Sequence, residues 1–181
     1  MELVKGRPLS MEGREARECH TYNFLDQLGI EYSRVDHSPA DTMEECLAVD
    51  AALGTKMCKN LFLCNRQKTD FYLLMMPGDK PFRTKELSAQ IGSARLSFAE
   101  ASFMEQYLNI HPGAVSVLGL MNDTDREVRL LIDEDLLEED SIGCHPCVNT
   151  SSLRIATKDL LEVFLPAVKH TYSRVRLTGN D

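Results

Sequence analysis

The sequence predicts a compact single domain of the α/β class, a central mixed β-sheet flanked by helices. Three observations carry this. Amphipathic helical patterns interleave with short apolar strand patterns along the whole chain. Two of the strands are separated only by the polar turn Asn65-Arg66-Gln67-Lys68, so they form a hairpin and the sheet is not purely parallel. No internal repeat, low-complexity block or long linker divides the 181 residues. The whole of 1–181 therefore reads as one domain with its core at about 20–170, long enough to bury that core without staples.

The elements follow in order. Residues 14–28 read as an amphipathic helix with Ala16, His20, Phe24 and Leu28 on one stripe, stopped at Gly29. Residues 30–35 alternate as a strand. Thr42 and Glu45 are spaced as a capping box, opening a helix that runs to Leu53 before Gly54. Strands at 56–64 and 70–76 form the hairpin, and Pro77-Gly78-Asp79-Lys80-Pro81 is a turn. Helices are expected at 85–91 and 98–108, then a glycine-bearing segment over 111–123. Over 127–132, Val128, Leu130 and Ile132 recur at alternate positions among the charges Glu127 and Arg129 as a strand, 153–156 is another, and a helix at 159–168 closes the chain.

Composition narrows the function. The formal net charge is −8, whereas a protein that grips a long duplex through many phosphates is usually basic. Binding to DNA or along an extended RNA groove is not expected, although a local positive pocket could hold one or two phosphates. Six cysteines are scattered among apolar segments, which fits a reducing cytoplasm better than a disulfide scaffold. Nothing resembles a signal peptide or a membrane span, so a cytoplasmic protein without a membrane partner is expected.

Four segments are candidates for chemistry. Lys59 interrupts the apolar run 57–64, and a buried ammonium must reach a cleft mouth, a partner or an anionic ligand. A lysine snorkelling from a sheet edge, or paired with a carboxylate, satisfies the same pattern. In 143–152, Cys144-His145-Pro146-Cys147 has C-x-x-C spacing, but it precedes a strand late in the chain and has no second ligand pair. The cysteines then serve as packing residues around His145, while His145, Asn149 and Thr150 can orient a ligand by hydrogen bonds or simply close a polar turn. The segment Gly113–Gly119 lacks the G-K-[ST] ending and the G-x-G-x-x-G spacing of phosphate-binding loops. It offers backbone, with two glycines that let a ligand approach closely, or it is a plain connection. The acidic run 133–140 matches no cation cage and reads as a solvated helix and turn. His20, His37, His111 and His170 have no companions in sequence and read as structural or exposed. No metal and no cofactor is implied.

Taken together, Lys59-Asn60-Leu61-Phe62-Leu63, Pro77-Gly78-Asp79-Lys80, Lys85-Glu86-Leu87, 113–123 and His145-Pro146-Cys147-Val148-Asn149-Thr150 resemble the YbaK/prolyl-tRNA-synthetase-associated editing domain family. The resemblance runs from about 22 to 170 and is strongest to the free-standing prolyl-tRNA deacylase branch. It implies a hydrolase that cleaves the ester joining a wrong amino acid to the 3′-terminal adenosine of tRNA, with alanyl-tRNA(Pro) as substrate. The tRNA acceptor end is then the partner and prolyl-tRNA synthetase a candidate second one. It places Lys59 and Asn60 at the reacting centre, Lys59 near the terminal phosphate and ribose. Around the substrate it places Lys80, the loop residues Gly113, Val115, Ser116, Val117, Leu118 and Gly119, and the ligand-orienting His145, Asn149 and Thr150. The family commonly has proline where this chain has Val117, and valine leaves φ and the amide unconstrained. Two other readings stand beside this one: a non-catalytic module binding an amino acid or nucleotide in the same pocket, and a redox protein using Cys144 and Cys147.

Overall fold

The computed structural model describes residues 1–180. Its strands fall into two sheets. The first is antiparallel throughout, in the order β1 (Leu3–Lys5), β2 (Tyr32–Asp36), β8 (Ser151–Ala156), β7 (Ser141–Cys144). The second is mixed, in the order β5 (Ser97–Phe98), β3 (Cys58–Cys64), β4 (Phe71–Pro77), β6 (Val128–Asp133), β9 (Tyr172–Val175). Its β5–β3 and β3–β4 pairs are antiparallel; β4–β6 and β6–β9 are parallel. A bridge between Met57 and Gly143 joins the two sheets where β3 begins.

The β3–β4 hairpin closes because Asn65 turns the chain. Its Oδ1 accepts from the amides of Thr69 at 2.9 Å and Asp70 at 3.1 Å. Beyond the turn the two faces of the hairpin are both covered. Phe62, Cys64, Phe71, Leu73 and Met75 pack into the main core, while Leu63, Tyr72, Leu74 and Met76 pack with Leu87 and Leu96 into a second. A sheet buried on both faces reads as continuous apolar runs, which is how these strands announce themselves.

The helices are α1 (Ala16–Gln27), α2 (Met43–Leu53), α3 (Thr84–Ile91), α4 (Ala101–Leu108), the short α5 (Glu134–Leu137), and α6 over 157–167. The middle of α6, Leu160–Phe164, is π-wound just before Pro166, which has no amide to donate. The capping box of α2 forms as expected: Glu45 N donates to Thr42 Oγ1 at 3.1 Å and Thr42 N donates to Glu45 Oε2 at 2.9 Å, with Gly54 left-handed at the far end. Among the described residues, no helix is long and apolar enough to cross a membrane.

Two expectations are corrected. The buried face of α1 is Glu18, Thr21, Tyr22 and Leu25, not the stripe through Ala16 and His20, because Glu18 is buried together with its ionic and phenolic partners. The helix expected from residue 98 starts at Ala101, since Ser97–Phe98 pairs with β3 and Ala99 N donates to Phe62 O at 2.9 Å.

Candidate active site

The register of β2 against β8 sets Asp36 opposite Ser151 and Val35 opposite Ser152. His37 continues the pairing, its amide donating to Thr150 O at 3.0 Å. Residues more than a hundred positions apart are thereby fixed side by side. Behind them lies a polar cluster. Arg14 donates to Glu18 at 2.6 Å and to Asp36 at 2.9 Å; Tyr22 OH donates to Glu18 at 2.6 Å, and Ser151 Oγ to Asp36 at 2.7 Å. Burial opposes ionisation of Asp36, yet hydrogen bonds from Arg14, Ser151 and Arg34 outweigh it and hold the carboxyl well below the usual range. Burial, reinforced by Glu18, pushes the Tyr22 hydroxyl up, so it stays a donor.

In front of this cluster is a small cavity of about 210 Å³ whose walls include His37, Asp41, Cys58, Gly113, His145 and Asn149. His145 Nδ1 lies 2.8 Å from Ser151 O. A carbonyl only accepts, so that nitrogen carries the proton and Nε2 presents a lone pair. Burial lowers the pKa of His145, and the neighbouring His37 adds to the effect, so the ring is neutral at pH 7. His37 is committed at both nitrogens: Nδ1 is 2.8 Å from Ser38 O and Nε2 is 2.8 Å from Ser152 Oγ. Gly113 has φ +91, and a Cβ there would stand 3.6 Å from Asn149 Nδ2. His37 and Asn149 also line an open cleft of about 630 Å³ that reaches Arg14, His111 and Thr150. A small chamber thus adjoins a larger cleft, with His37 and Asn149 in the walls of both. Among the described residues, no group of three or more His, Cys, Asp or Glu could hold a metal ion.

The expected site residues do not all converge here. Gly113, His145 and Asn149 line the chamber, and Thr150 lines the cleft. Of the rest of the 113–119 segment, Val117 and Leu118 are fully buried in the main core, Val115 packs against it, and Val117–Asn122 winds into a 3₁₀ turn. Ser116 caps that turn, its Oγ accepting from Leu118 N at 3.2 Å. A Cβ on Gly119 would meet Ile110 Cδ1 at 2.6 Å and Leu108 Cβ at 3.1 Å, so this glycine serves close packing against α4. Lys80 Nζ is held by Asp133 at 2.6 Å, Asp135 at 2.8 Å and Leu177 O at 2.6 Å, an anchor for the chain end with little capacity left for a substrate.

Lys59 shares a strand face with Leu61 and Leu63, so it points to the opposite side of the sheet from the chamber-lining Cys58. Its amine donates to Lys80 O at 2.7 Å and, among the described residues, pairs with no carboxylate. Its charge is therefore uncompensated. Asn60 is on the Cys58 face and its Oδ1 is buried without a hydrogen-bond partner within the protein, a costly state that a bound donor would relieve. Cys144 and Cys147 are buried in the main core, and burial pushes the Cys147 thiol up to about 11. His37 and the Arg14–Glu18–Asp36 cluster escape a reading of the sequence, since their partners are remote in the chain. The one local hint is a glutamate, Glu18, placed one turn before Tyr22 in a helix that must bury a face.

This fold and this chamber define an aminoacyl-tRNA editing domain. The family model described as "Aminoacyl-tRNA editing domain" matches residues 37–163, and the chain belongs to that family and to its class of hydrolytic enzymes. Within it, the chain is similar to the "Prolyl-tRNA editing protein ProX" of Acetoanaerobium sticklandii, 33% identical over 153 residues that cover 84% of this chain and 93% of the relative. It is also similar to the "Prolyl-tRNA synthetase associated domain-containing protein 1" of Danio rerio, 33% identical over 150 residues, 82% of this chain and 80% of the relative. A solved structure reported as a candidate trans-editing enzyme for prolyl-tRNA synthetase superposes with a TM-score of 0.66 at 15% identity, covering 90% of this chain and 98% of that one. At that identity it speaks for the fold alone.

Proposed function

We propose that this protein deacylates mischarged tRNA in trans, with Ala-tRNA(Pro) as its substrate, clearing errors made by prolyl-tRNA synthetase in the cytoplasm. The observation that carries the reading is the pairing of a chamber of about 210 Å³ with an adjoining cleft of about 630 Å³. The chamber is smaller than a drug-sized site, about 300–1,000 Å³, and suits a small acyl group, while the cleft falls within that range and suits the terminal adenosine.

An aminoacyl ester is already activated, so the enzyme has mainly to position a water and stabilise an oxyanion. The neutral His145, with Nε2 facing the chamber, can accept a hydrogen bond from the α-amino group or from a ribose hydroxyl. Asn149 and the bare backbone at Gly113 approach the carbonyl. The 2′-hydroxyl of the adenosine assists the water, in keeping with the lack of an activated protein nucleophile: Cys58, the thiol at the chamber wall, is pushed up to about 12 by burial and stays protonated. The unpartnered Oδ1 of Asn60, on the chamber's face of the strand, accepts from a ribose hydroxyl, whereas Lys59, on the opposite face, stays outside the contact. Selectivity comes from size, since a chamber that admits an alanyl group can refuse the prolyl ring.

The test is release of labelled alanine from tRNA(Pro), compared with proline, serine and cysteine on the same tRNA. Alanine is expected to be released fastest and proline slowest. Equal rates for all four would remove the size argument, and no release of any would remove the hydrolase.

A further inference from the structure

On the mixed sheet, the starts of β4, β6 and β9 open onto a groove of about 730 Å³ that the editing chamber does not touch. Its walls carry Arg126, Arg129, Lys169 and Arg174 beside Tyr72 and Tyr172, and no carboxylate lines it. In a chain where acids outnumber bases 28 to 20, such a segregated patch needs an explanation. Arg129 alone approaches an acid, Asp70 at 3.8 Å, and among the described residues Arg126, Lys169 and Arg174 make no ion pair.

The groove is built rather than incidental. Arg126 and Lys169 sit in left-handed backbone at φ 56 and φ 59, positions that glycine or asparagine fill more readily. The turns that carry them are bolted together by one carboxylate. Asp123 accepts from the amides of Glu127 at 3.1 Å and Val128 at 2.9 Å, and its Oδ2 lies 3.0 Å from His170 Nε2, with Asp123, Val128 and His170 buried. Arg129 lies 5.6 Å over the Tyr72 ring and donates to its hydroxyl at 3.2 Å, which fixes the direction of the guanidinium.

We propose that this groove binds the sugar–phosphate backbone of tRNA away from the aminoacylated end. The ligand class follows from charge: uncompensated guanidinium and ammonium groups around one groove, with the half-exposed ring of Tyr172 beside them, suit successive phosphates of a nucleic acid strand. The site is separate from the one that holds the ester. Cys58 of the chamber faces Pro77 across the hairpin, and Tyr72 lies five residues back along β4, about 16 Å at the usual strand rise. One nucleotide cannot fill both places, but one tRNA can. This inference rests on the proposed tRNA substrate and puts a limited RNA contact on a protein whose net charge argues against an extended one.

The test uses the triple variant Arg126→Gln, Lys169→Gln, Arg174→Gln, all at exposed positions. Binding of uncharged tRNA is measured by fluorescence anisotropy across a salt series, and hydrolysis is measured on full-length alanyl-tRNA and on an alanylated CCA trinucleotide. The variant is expected to bind tRNA at least tenfold more weakly, with a log–log salt slope shallower by about 2, given about 0.7–0.9 per lost phosphate contact. KM for the full tRNA rises while turnover of the trinucleotide is unchanged. Unchanged binding and slope overturn the proposal, as does preferential loss of binding to an acidic protein with tRNA binding intact. Should the triple variant melt early, Arg174→Gln alone is read for a slope change of about one contact. The two readings fail separately. Groove-dependent tRNA binding without ester hydrolysis retains the groove and removes the hydrolase, whereas normal hydrolysis with a silent variant does the reverse.

Discussion

The rings of His37 and His145 stand 6.4 Å apart, centroid to centroid, in the wall of one small chamber. His37 has both nitrogens occupied, whereas His145 uses only Nδ1, on Ser151 O, and leaves Nε2 to the chamber. Two imidazoles this close disfavour a second positive charge, and burial of His145 works in the same direction. The acid limb of kcat/KM for alanyl-tRNA should therefore lie below about pH 6.5, the ordinary imidazole value. The stability contribution has the same sign. With the folded pKa depressed, the unfolded chain takes up the proton first, so stability is full above the ordinary value and is lost as pH falls towards the folded one. In His145→Gln the limb should vanish and the rate fall about 10²-fold, the lower range for a positioned acid–base group. A wild-type limb at pH 7 or above would mean that His145 is not the group observed.

Lys59 separates two ideas about what a half-buried cation does in this fold. Its amine is on the sheet face away from the chamber and is held by a neutral carbonyl, that of Lys80. On that geometry Lys59→Ala should leave deacylation close to wild type, with the melting temperature within a few degrees. Lys59→Met, which keeps the apolar stem, should behave in the same way. Loss of turnover in both variants would bring the amine back to the substrate and overturn its reading as a snorkelling residue.

Much of the fold is legible along the chain because its signals are local. The Asn65 turn, the Thr42–Glu45 box and Gly54 each act within a few residues, and all three form. The short strands β1, β5, β7 and β9 are not legible, since each is defined by a partner rather than by its own two to four residues. The candidate site divides the same way. His145 and Asn149 are conspicuous in one short segment, but His37 gains meaning only when the β2–β8 register sets it beside Thr150 and Ser152. Lys80 and Val117 look like site residues in a motif, yet packing assigns one to an ionic anchor and the other to the core.

The Arg14 cluster should govern acid stability. Glu18 has a side chain 3% exposed and depends on Arg14 for its countercharge. Arg14→Ala strands it, and breaking a buried pair from one side costs about 3–5 kcal/mol. Because the Asp36 pKa is held below its unfolded value, the stability it supplies is present above about pH 4, the ordinary carboxylate value, and is lost as pH falls through the folded one. Denaturant melts at pH 7 and pH 3 should show a large wild-type difference that shrinks in Asp36→Asn. A pH dependence unchanged by Asp36→Asn would assign acid unfolding to other carboxylates.

Gly113 and Val117 are four residues apart and should respond to substitution in opposite ways. Val117 is fully buried, so Val117→Ala leaves a gap that costs about 2 kcal/mol, between the values for smaller and larger core truncations. In a chain of this size that is about 4–8 °C of melting temperature. The ratio of alanine to serine release should stay as in wild type, because the side chain does not reach the chamber. Gly113→Ala meets two obstacles instead: φ +91 is a conformation that alanine resists, and the new methyl stands 3.6 Å from Asn149 Nδ2 in the chamber wall. It should slow deacylation more than it lowers the melting point and should penalise the larger acyl groups most. If Val117→Ala changed the acyl ratio while Gly113→Ala did not, the chamber wall would have to be redrawn around the 3₁₀ turn.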